Sequence, residues 1–203
     1  MNGIDAIVFD LGNVLLAFDE TRAVKRLAAR TGKTPQQIDE YARGTSHVTE
    51  LALGKVTKQR FFHTVARDLA FDGAYGEFAL IWSEIFTPIE PMIALAESLK
   101  NRLPRLILSN TNAIHMDYVF EHYQFLQDFD AHVLSHEVGL LKPDPAIYRH
   151  ALRTSGLTAS RTVFIDDISA NAEAARQAGM QAIHFQTSDQ ARAELTKLGV
   201  SPI

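Results

Sequence analysis

Four apolar residues, Ala6-Ile7-Val8-Phe9, run straight into the single carboxylate of Asp10, with Gly12 and Asn13 close behind. An unbroken apolar run of this length is the pattern of a strand covered on both faces, as in a parallel sheet. Ligands of open α/β sheets gather beyond the carboxyl ends of such strands. Asp10 is therefore the residue against which the rest of the chain is read.

The second half of the sequence alternates between strand and helix. Strands are predicted at 4–9, 105–108, 131–134, 162–165 and 181–185. Helices are predicted at 93–99, 113–123, 145–154, 168–178 and 188–198. Five strands joined by helical crossovers imply an α/β protein with a doubly wound, parallel five-stranded sheet.

Between the first strand and the rest, residues 19–86 read as helix after helix with no convincing strand. Val24, Leu27 and Ala28 have helical spacing, and Gly32 stands as a stop. Thr34-Pro35-Gln36-Gln37 offers an N-cap, a proline at the first helical position and a capping-box glutamine. Gly44 and Gly54 bracket a short helical piece. Thr57 precedes a helix bearing Phe61, Phe62, Val65 and Leu69, and Phe78, Ile81, Trp82, Ile85 and Phe86 form an aromatic-aliphatic stripe after Gly73. That stripe suits the core of the helical block and a contact between two copies equally well, which leaves the oligomeric state open. Pro88 and Pro91 mark the far boundary. The expected division is a core of residues 1–16 and 88–203, with 17–87 inserted.

Three predicted strands end in polar residues that a packed core does not need: Asp10, Ser109-Asn110 and Asp166-Asp167. Parallel strands bring these ends to one edge. Carboxylates crowded together repel unless one is protonated or a cation lies among them, and an all-oxygen set without His or Cys suits Mg²⁺. Lys142, between Gly139 and the helix start Pro143-Asp144-Pro145, adds a cation beside them; Asp144 is the expected N-cap.

The 203 residues carry a net charge of −4 with scattered Lys and Arg, so no basic stripe marks a nucleic-acid partner. Absence of cysteine removes disulfides and thiolate chemistry together. No run approaches the roughly 20 apolar residues of a membrane span, and no signal-peptide pattern opens the chain. A cytoplasmic setting is the expectation.

Phe9-Asp10-Leu11-Gly12-Asn13-Val14, Leu108-Ser109-Asn110, Lys142-Pro143 and Phe164-Ile165-Asp166-Asp167, in this order, resemble the four motifs of the haloacid dehalogenase superfamily, with its helical cap inserted after the first. The opening motif and Leu108-Ser109-Asn110-Thr111-Asn112 resemble in particular the sugar-phosphate phosphatase branch that includes α-D-glucose-1-phosphate phosphatases. The resemblance implies Asp10 as nucleophile, forming an aspartyl-phosphate that water hydrolyses. It implies Mg²⁺ held by Asp10, the Gly12 carbonyl and Asp167, with Asp166 as a further ligand or just outside. Ser109 would bind a phosphoryl oxygen and Lys142 would offset the crowded charge. Asn110 and Arg43 are expected to reach the substrate, a small phosphorylated metabolite. Asn171, one turn past Asp167, is expected at a metal-bound water, at a cap or facing solvent, and Asn112 at a cap.

Phosphatases of this superfamily usually carry a second aspartate two residues after the nucleophile, as acid and base for the leaving group and water. Here that residue is Gly12, and Asn13 cannot act as an acid. Two rivals follow: a phosphate-binding, regulatory protein of low turnover, and a 2-haloacid dehalogenase. Dehalogenases also lack that aspartate and need no metal, but they lack the paired acids seen at Asp166-Asp167. Sugar phosphomutases are a third option, although they rely on the missing aspartate.

Overall fold

The computed structural model describes residues 3–201. The chain opens on β1 (Ala6–Phe9) and passes through β2 (Leu16–Phe18) into five helices: α1 (Glu20–Thr31), α2 (Pro35–Gly44), α3 (His47–Ala52), α4 (Lys58–Leu69) and α5 (Tyr75–Ser83). It returns through β3 (Phe86–Pro88) to α6 (Glu90–Ser98), β4 (Arg105–Ser109), α7 (Ala113–His122), β5 (Ala131–Leu134) and the single turn α8 (Ser135–Val138). The last elements are α9 (Pro145–Thr154), β6 (Thr162–Asp166), α10 (Ser169–Gln177), β7 (Gln181–His184) and α11 (Ser188–Lys197). No helix among the described residues is long and apolar enough to cross a membrane.

The five long-range strands form one parallel sheet in the order β5-β4-β1-β6-β7, with β1 at its centre. Alternation along the strands divides the core. Ile7, Phe9, Ile107, Val163, Ile165 and Ile183 face Met92, Leu95, Met116, Val119 and Leu195 of α6, α7 and α11. Val8, Leu106, Leu108, Val133 and Phe164 face Ile147, Tyr148, Ala151, Ala174 and Ala175 of α9 and α10. Both faces are covered, so every residue of β1 is buried, and each large apolar side chain contributes about 1.5–3 kcal/mol by leaving water. From β1 the chain builds outward first through β4 and β5, then on the other side through β6 and β7, so a crevice opens where β1, β4 and β6 end.

The helical block has a second apolar core. Leu27, Ile38, Leu51, Phe61, Phe62, Val65, Phe78 and Ile81 pack together with Ile114 of α7. Local sequence sets these helices: Thr34 and Gln37 form the reciprocal capping box of α2, and the side chains of Asp19 and Thr57 cap α1 and α4. The aromatic stripe around Trp82 packs inside this core, where Trp82 stacks on Phe78 and meets the Phe61 ring.

Two features correct the sequence expectation. Residues flanking the helical block form an antiparallel ribbon, pairing Leu16 with Pro88, Ala17 with Thr87 and Phe18 with Phe86. Phe86 thus belongs to a strand and not to the stripe of α5, which ends at Ser83. Three-residue strands are too short to show an alternation, and Pro88 sits at an edge, where a missing N–H costs no ladder bond. The second feature is α8, on which the helical block rests. Gly54 packs there so closely that a Cβ would come within 2.0 Å of the His136 carbonyl oxygen.

Candidate active site

Asp10 follows the last residue of β1, and its backbone N–H donates to the Ile165 carbonyl of β6 at 2.9 Å. Its Oδ1 accepts from the Leu11 N–H at 2.7 Å and lies 2.8 Å from Lys142 Nζ. Among the described residues Oδ2 has no hydrogen-bond partner. Burial pushes the Asp10 carboxyl up to about 7; Asp166 adds to the rise and Lys142 opposes it.

Lys142 is buried rather than solvated. Its ammonium also meets Asp166 Oδ2 at 2.7 Å and lies 5.3 Å from the centre of the Phe164 ring. Asp166 is fully buried and its carboxylate is saturated. Oδ1 accepts from Ile168 N–H at 2.8 Å, and Asn171 Nδ2 lies 3.0 and 3.1 Å from the two oxygens. Asn171 is thus neither a solvent residue nor a cap: it holds Asp166 from α10, and its own carbonyl accepts from the Tyr148 hydroxyl. Asp167 is more open. It accepts from Asn13 Nδ2 at 3.1 Å, and Asn13 adopts a left-handed φ of 54° in the turn after β1. Carboxylate oxygens of Asp10, Asp166 and Asp167 lie within 4.8 Å of one another.

β4 delivers the next part of the crevice. Ser109 is buried, and among the described residues its hydroxyl has no hydrogen-bond partner. Asn110, expected at the substrate, has both polar side-chain atoms engaged elsewhere: Nδ2 donates to the Lys142 carbonyl at 2.9 Å and Oδ1 accepts from the Lys142 N–H at 2.8 Å. Through these two bonds the side chain fixes the Lys142 backbone. Ser135 Oγ accepts from the Thr111 N–H at 2.9 Å, and it lies 2.9 Å from the Thr111 carbonyl and 2.7 Å from the Ala52 carbonyl of the helical block. Asn112 caps α7 as expected, accepting from the N–H groups of Ile114 and His115. His115 lies 3.2 Å from the Trp82 carbonyl through Nε2 and 3.1 Å from Asn112 Nδ2 through Nδ1. A carbonyl only accepts, so Nε2 carries the proton. Burial pushes the imidazole pKa down to about 4, which keeps the ring neutral.

A family model described as a haloacid dehalogenase-like hydrolase matches residues 4–179. The chain belongs to that family. Among curated relatives of this haloacid dehalogenase-like hydrolase, "Phosphatase MT3486" of Mycobacterium tuberculosis is 29% identical over 199 residues, covering 93% of this chain and 90% of the relative. A D-ribitol-5-phosphate phosphatase of Bacteroides thetaiotaomicron is 25% identical and covers 95% and 97%. Among solved structures, a haloacid dehalogenase family enzyme of the same bacterium, in complex with magnesium and inorganic phosphate, superposes with a TM-score of 0.82 at 24% identity, covering 91% and 95%.

In this haloacid dehalogenase-like hydrolase the position two after Asp10 has little room for a side chain. A Cβ on Gly12 would come within 2.9 Å of the Phe18 ring, and Phe18 is 38% exposed at the rim of the crevice. Phe18 in turn meets Phe86, and Phe86 meets His115. Arg43 ends up on α2, exposed and paired with Asp39 at 2.9 Å, at the rim of a cavity that also includes Asn112 and His115. Sequence reasoning missed Ser135, Phe18 and the Asn13 contact to Asp167. Asn13 alone carried a signal, because an asparagine at a tight turn tolerates positive φ.

Proposed function

We propose that this hydrolase is a Mg²⁺-dependent phosphatase of small phosphorylated metabolites. The observation that carries the reading is the state of Asp10: one oxygen pinned by Leu11 and Lys142, the other free, at the edge of a three-carboxylate cluster. The donor set fits a hard divalent cation. Three carboxylates face one ammonium, and burial alone leaves Asp10 reluctant to ionise. Asp10, Asp167 and the Gly12 carbonyl would hold Mg²⁺. Asp166, whose two oxygens are already engaged, would stay outside and orient Lys142 and Asn171. The bound ion would neutralise phosphate charge, so that an anionic oxygen can approach an anionic ester.

Asp10 Oδ2 attacks phosphorus as the bond to the leaving oxygen breaks, that oxygen takes its proton from water in the absence of an acid at Gly12, and water then hydrolyses the aspartyl-phosphate to free Asp10 and phosphate. The Ser109 hydroxyl donates to a phosphoryl oxygen, and Lys142, gripped by Asn110 and Asp166, compensates charge gathering there. We assign residues 17–87 as a cap that shields this crevice from water. Sugar phosphates, the class that the opening motif resembles, are the first candidates, and the ribitol-phosphate relative supports that choice. The reading carries a cytoplasmic setting and a small-molecule partner. The Asp166-Asp167 pair speaks against a dehalogenase.

Gly12 and the Phe18 ring favour one second reading, a phosphate-binding protein with little turnover. Acid–base help of the missing kind is typically worth about 10²–10⁴ in rate. The experiment is phosphate release from an aryl phosphate with and without Mg²⁺, using the wild type and Asp10→Asn. Metal-dependent release that the substitution abolishes supports the phosphatase. No metal-dependent release by the wild type, with phosphate still bound, supports the second reading.

A further inference from the structure

Of the three crevice carboxylates, Asp10 and Asp166 meet the Lys142 ammonium, whereas among the described residues Asp167 meets no cation of the protein. Asp167 also lies between regular elements. β6 ends at Asp166, whose carbonyl accepts from the Phe185 N–H just past β7 at 2.8 Å, and α10 does not begin until Ser169. Among the described residues no backbone N–H donates to the Asp167 carbonyl. His184 of β7 fills that gap, with Nε2 at 3.0 Å from the carbonyl oxygen. A carbonyl only accepts, so Nε2 carries the proton and donates.

Sheet register explains the reach. Asp166 and His184 are Cα partners on β6 and the edge strand β7, so their side chains stand on one face of the sheet at its carboxyl end. The imidazole has only to lean along the strand to meet the next carbonyl. Its strand end is braced from α11, where Gln190 donates through Nε2 to the His184 carbonyl and accepts through Oε1 from the Gln186 N–H, each at 3.1 Å. Asp167 is thus held at two points from two sides. Asn13, in the turn after β1, fixes its Oδ2, and His184 fixes its main chain.

Resting on the phosphatase reading and on the Mg²⁺ it invokes, we propose that His184 is a positioning residue for that cation. By donating to the Asp167 carbonyl it sets the main chain from which the carboxylate reaches the ion, while Asn13 sets the rotation of the carboxylate. A ligand that becomes ordered only as the ion binds loses conformational freedom at that moment, and one already held does not. Groups that orient a metal ligand without touching the metal are typically worth about 10- to 100-fold in affinity.

The test is the Mg²⁺ affinity of the full chain by titration calorimetry, which needs no turnover. His184→Leu removes the donor and should weaken Mg²⁺ by about 10- to 100-fold. His184→Gln, whose Nε2 donates from nearly the same place, should stay within about threefold of the wild type. The Mg²⁺ concentration for half-maximal release from an aryl phosphate should move by the same factors. A merely structural role would lower the melting temperature in chelator and leave Mg²⁺ affinity alone. A leucine variant within about twofold of the wild type, or a glutamine variant as weak as leucine, overturns the assignment. Should the leucine variant fail to fold, glutamine decides alone: retained affinity supports the assignment, and a loss of about tenfold overturns it. A wild type that binds no Mg²⁺ defeats the metal reading and the assignment with it. A wild type and a leucine variant that bind equally well defeat the assignment alone.

Discussion

Replacing Asp10 by asparagine should stabilise the metal-free protein while removing the carboxylate that we propose as nucleophile. The side chain is only 9% exposed, and its pKa rises from 3.8 to about 7 because burial disfavours the charged form more than Lys142 favours it. Between those values the folded chain holds a proton that the unfolded chain has released. Stability contributed by this group therefore falls as pH rises from about 4 to about 7, and stays at the lower level above that. A rise of about three pKa units, at about 1.4 kcal/mol each, sets a ceiling of about 4 kcal/mol on the penalty. Asparagine lacks the charge yet keeps an oxygen that can accept from Leu11 and Lys142. In a domain of this size 1 kcal/mol moves the melting temperature by about 2–4 °C. With a chelator at pH 8, Asp10→Asn should melt about 5–15 °C above the wild type, and the gap should close near pH 4. Added Mg²⁺ should raise the wild type more than the variant. Equal melting at pH 8, or a gap that widens toward pH 4, would refute the argument.

Three further substitutions probe the surroundings. Lys142→Met leaves Asp10 and Asp166 buried without their cation, which should cost about 3–5 kcal/mol by chemical denaturation and abolish phosphate release. Ser135→Ala leaves the Thr111 N–H without its partner, so a loss of about 1–3 kcal/mol is expected. Because the same hydroxyl ties Thr111 to Ala52, KM should rise more than kcat falls; unchanged stability would sink this account. Gly12→Asp forces the Phe18 ring aside, so the single substitution should gain less activity than Gly12→Asp with Phe18→Ala. If acid–base help is what the chain lacks, the pair should raise kcat by about tenfold or more, read by steady-state phosphate release.

The centre of the sheet was legible because β1, β4 and β6 each carry an apolar run, Ala6–Phe9, Leu106–Leu108 and Val163–Ile165, that a polar residue stops. Asp10, Ser109 and Asp166 end or follow three such runs, and the structure brings those strand ends to one crevice. Capped helices were legible for a local reason too, since the Thr34 and Gln37 exchange lies within four residues. The ribbon was hidden because its pairing joins residues about 70 apart through strands of three residues, and Phe86 continued the helical spacing of Trp82. Ser135 gave no signal at all. A lone serine acquires its role only when the chain brings Thr111 and Ala52 to it across the fold. Asn171 lay between alternatives because its two donor contacts to Asp166 depend on the angle at which α10 leaves β6, which spacing alone does not fix.

The charge balance of the crevice ties these observations together. Three carboxylates within 4.8 Å of one another face one buried ammonium, which leaves two negative charges, the charge of one divalent cation. The three acids are not equivalent. Asp166 has Lys142, Asn171 and the Ile168 N–H on its oxygens, so it is already paid for by protein donors. Asp167 has one amide contact, and Asp10 keeps one oxygen free. The deficit therefore falls on the Asp10 and Asp167 side, which is where a cation lowers the energy most. A cation there would also draw the Asp10 pKa back toward its ordinary range, making an ionised nucleophile at neutral pH. On the proposed mechanism, metal binding and activation of Asp10 would be one event, and the stability gain from Asp10→Asn without metal would measure the electrostatic stress that a bound cation would relieve.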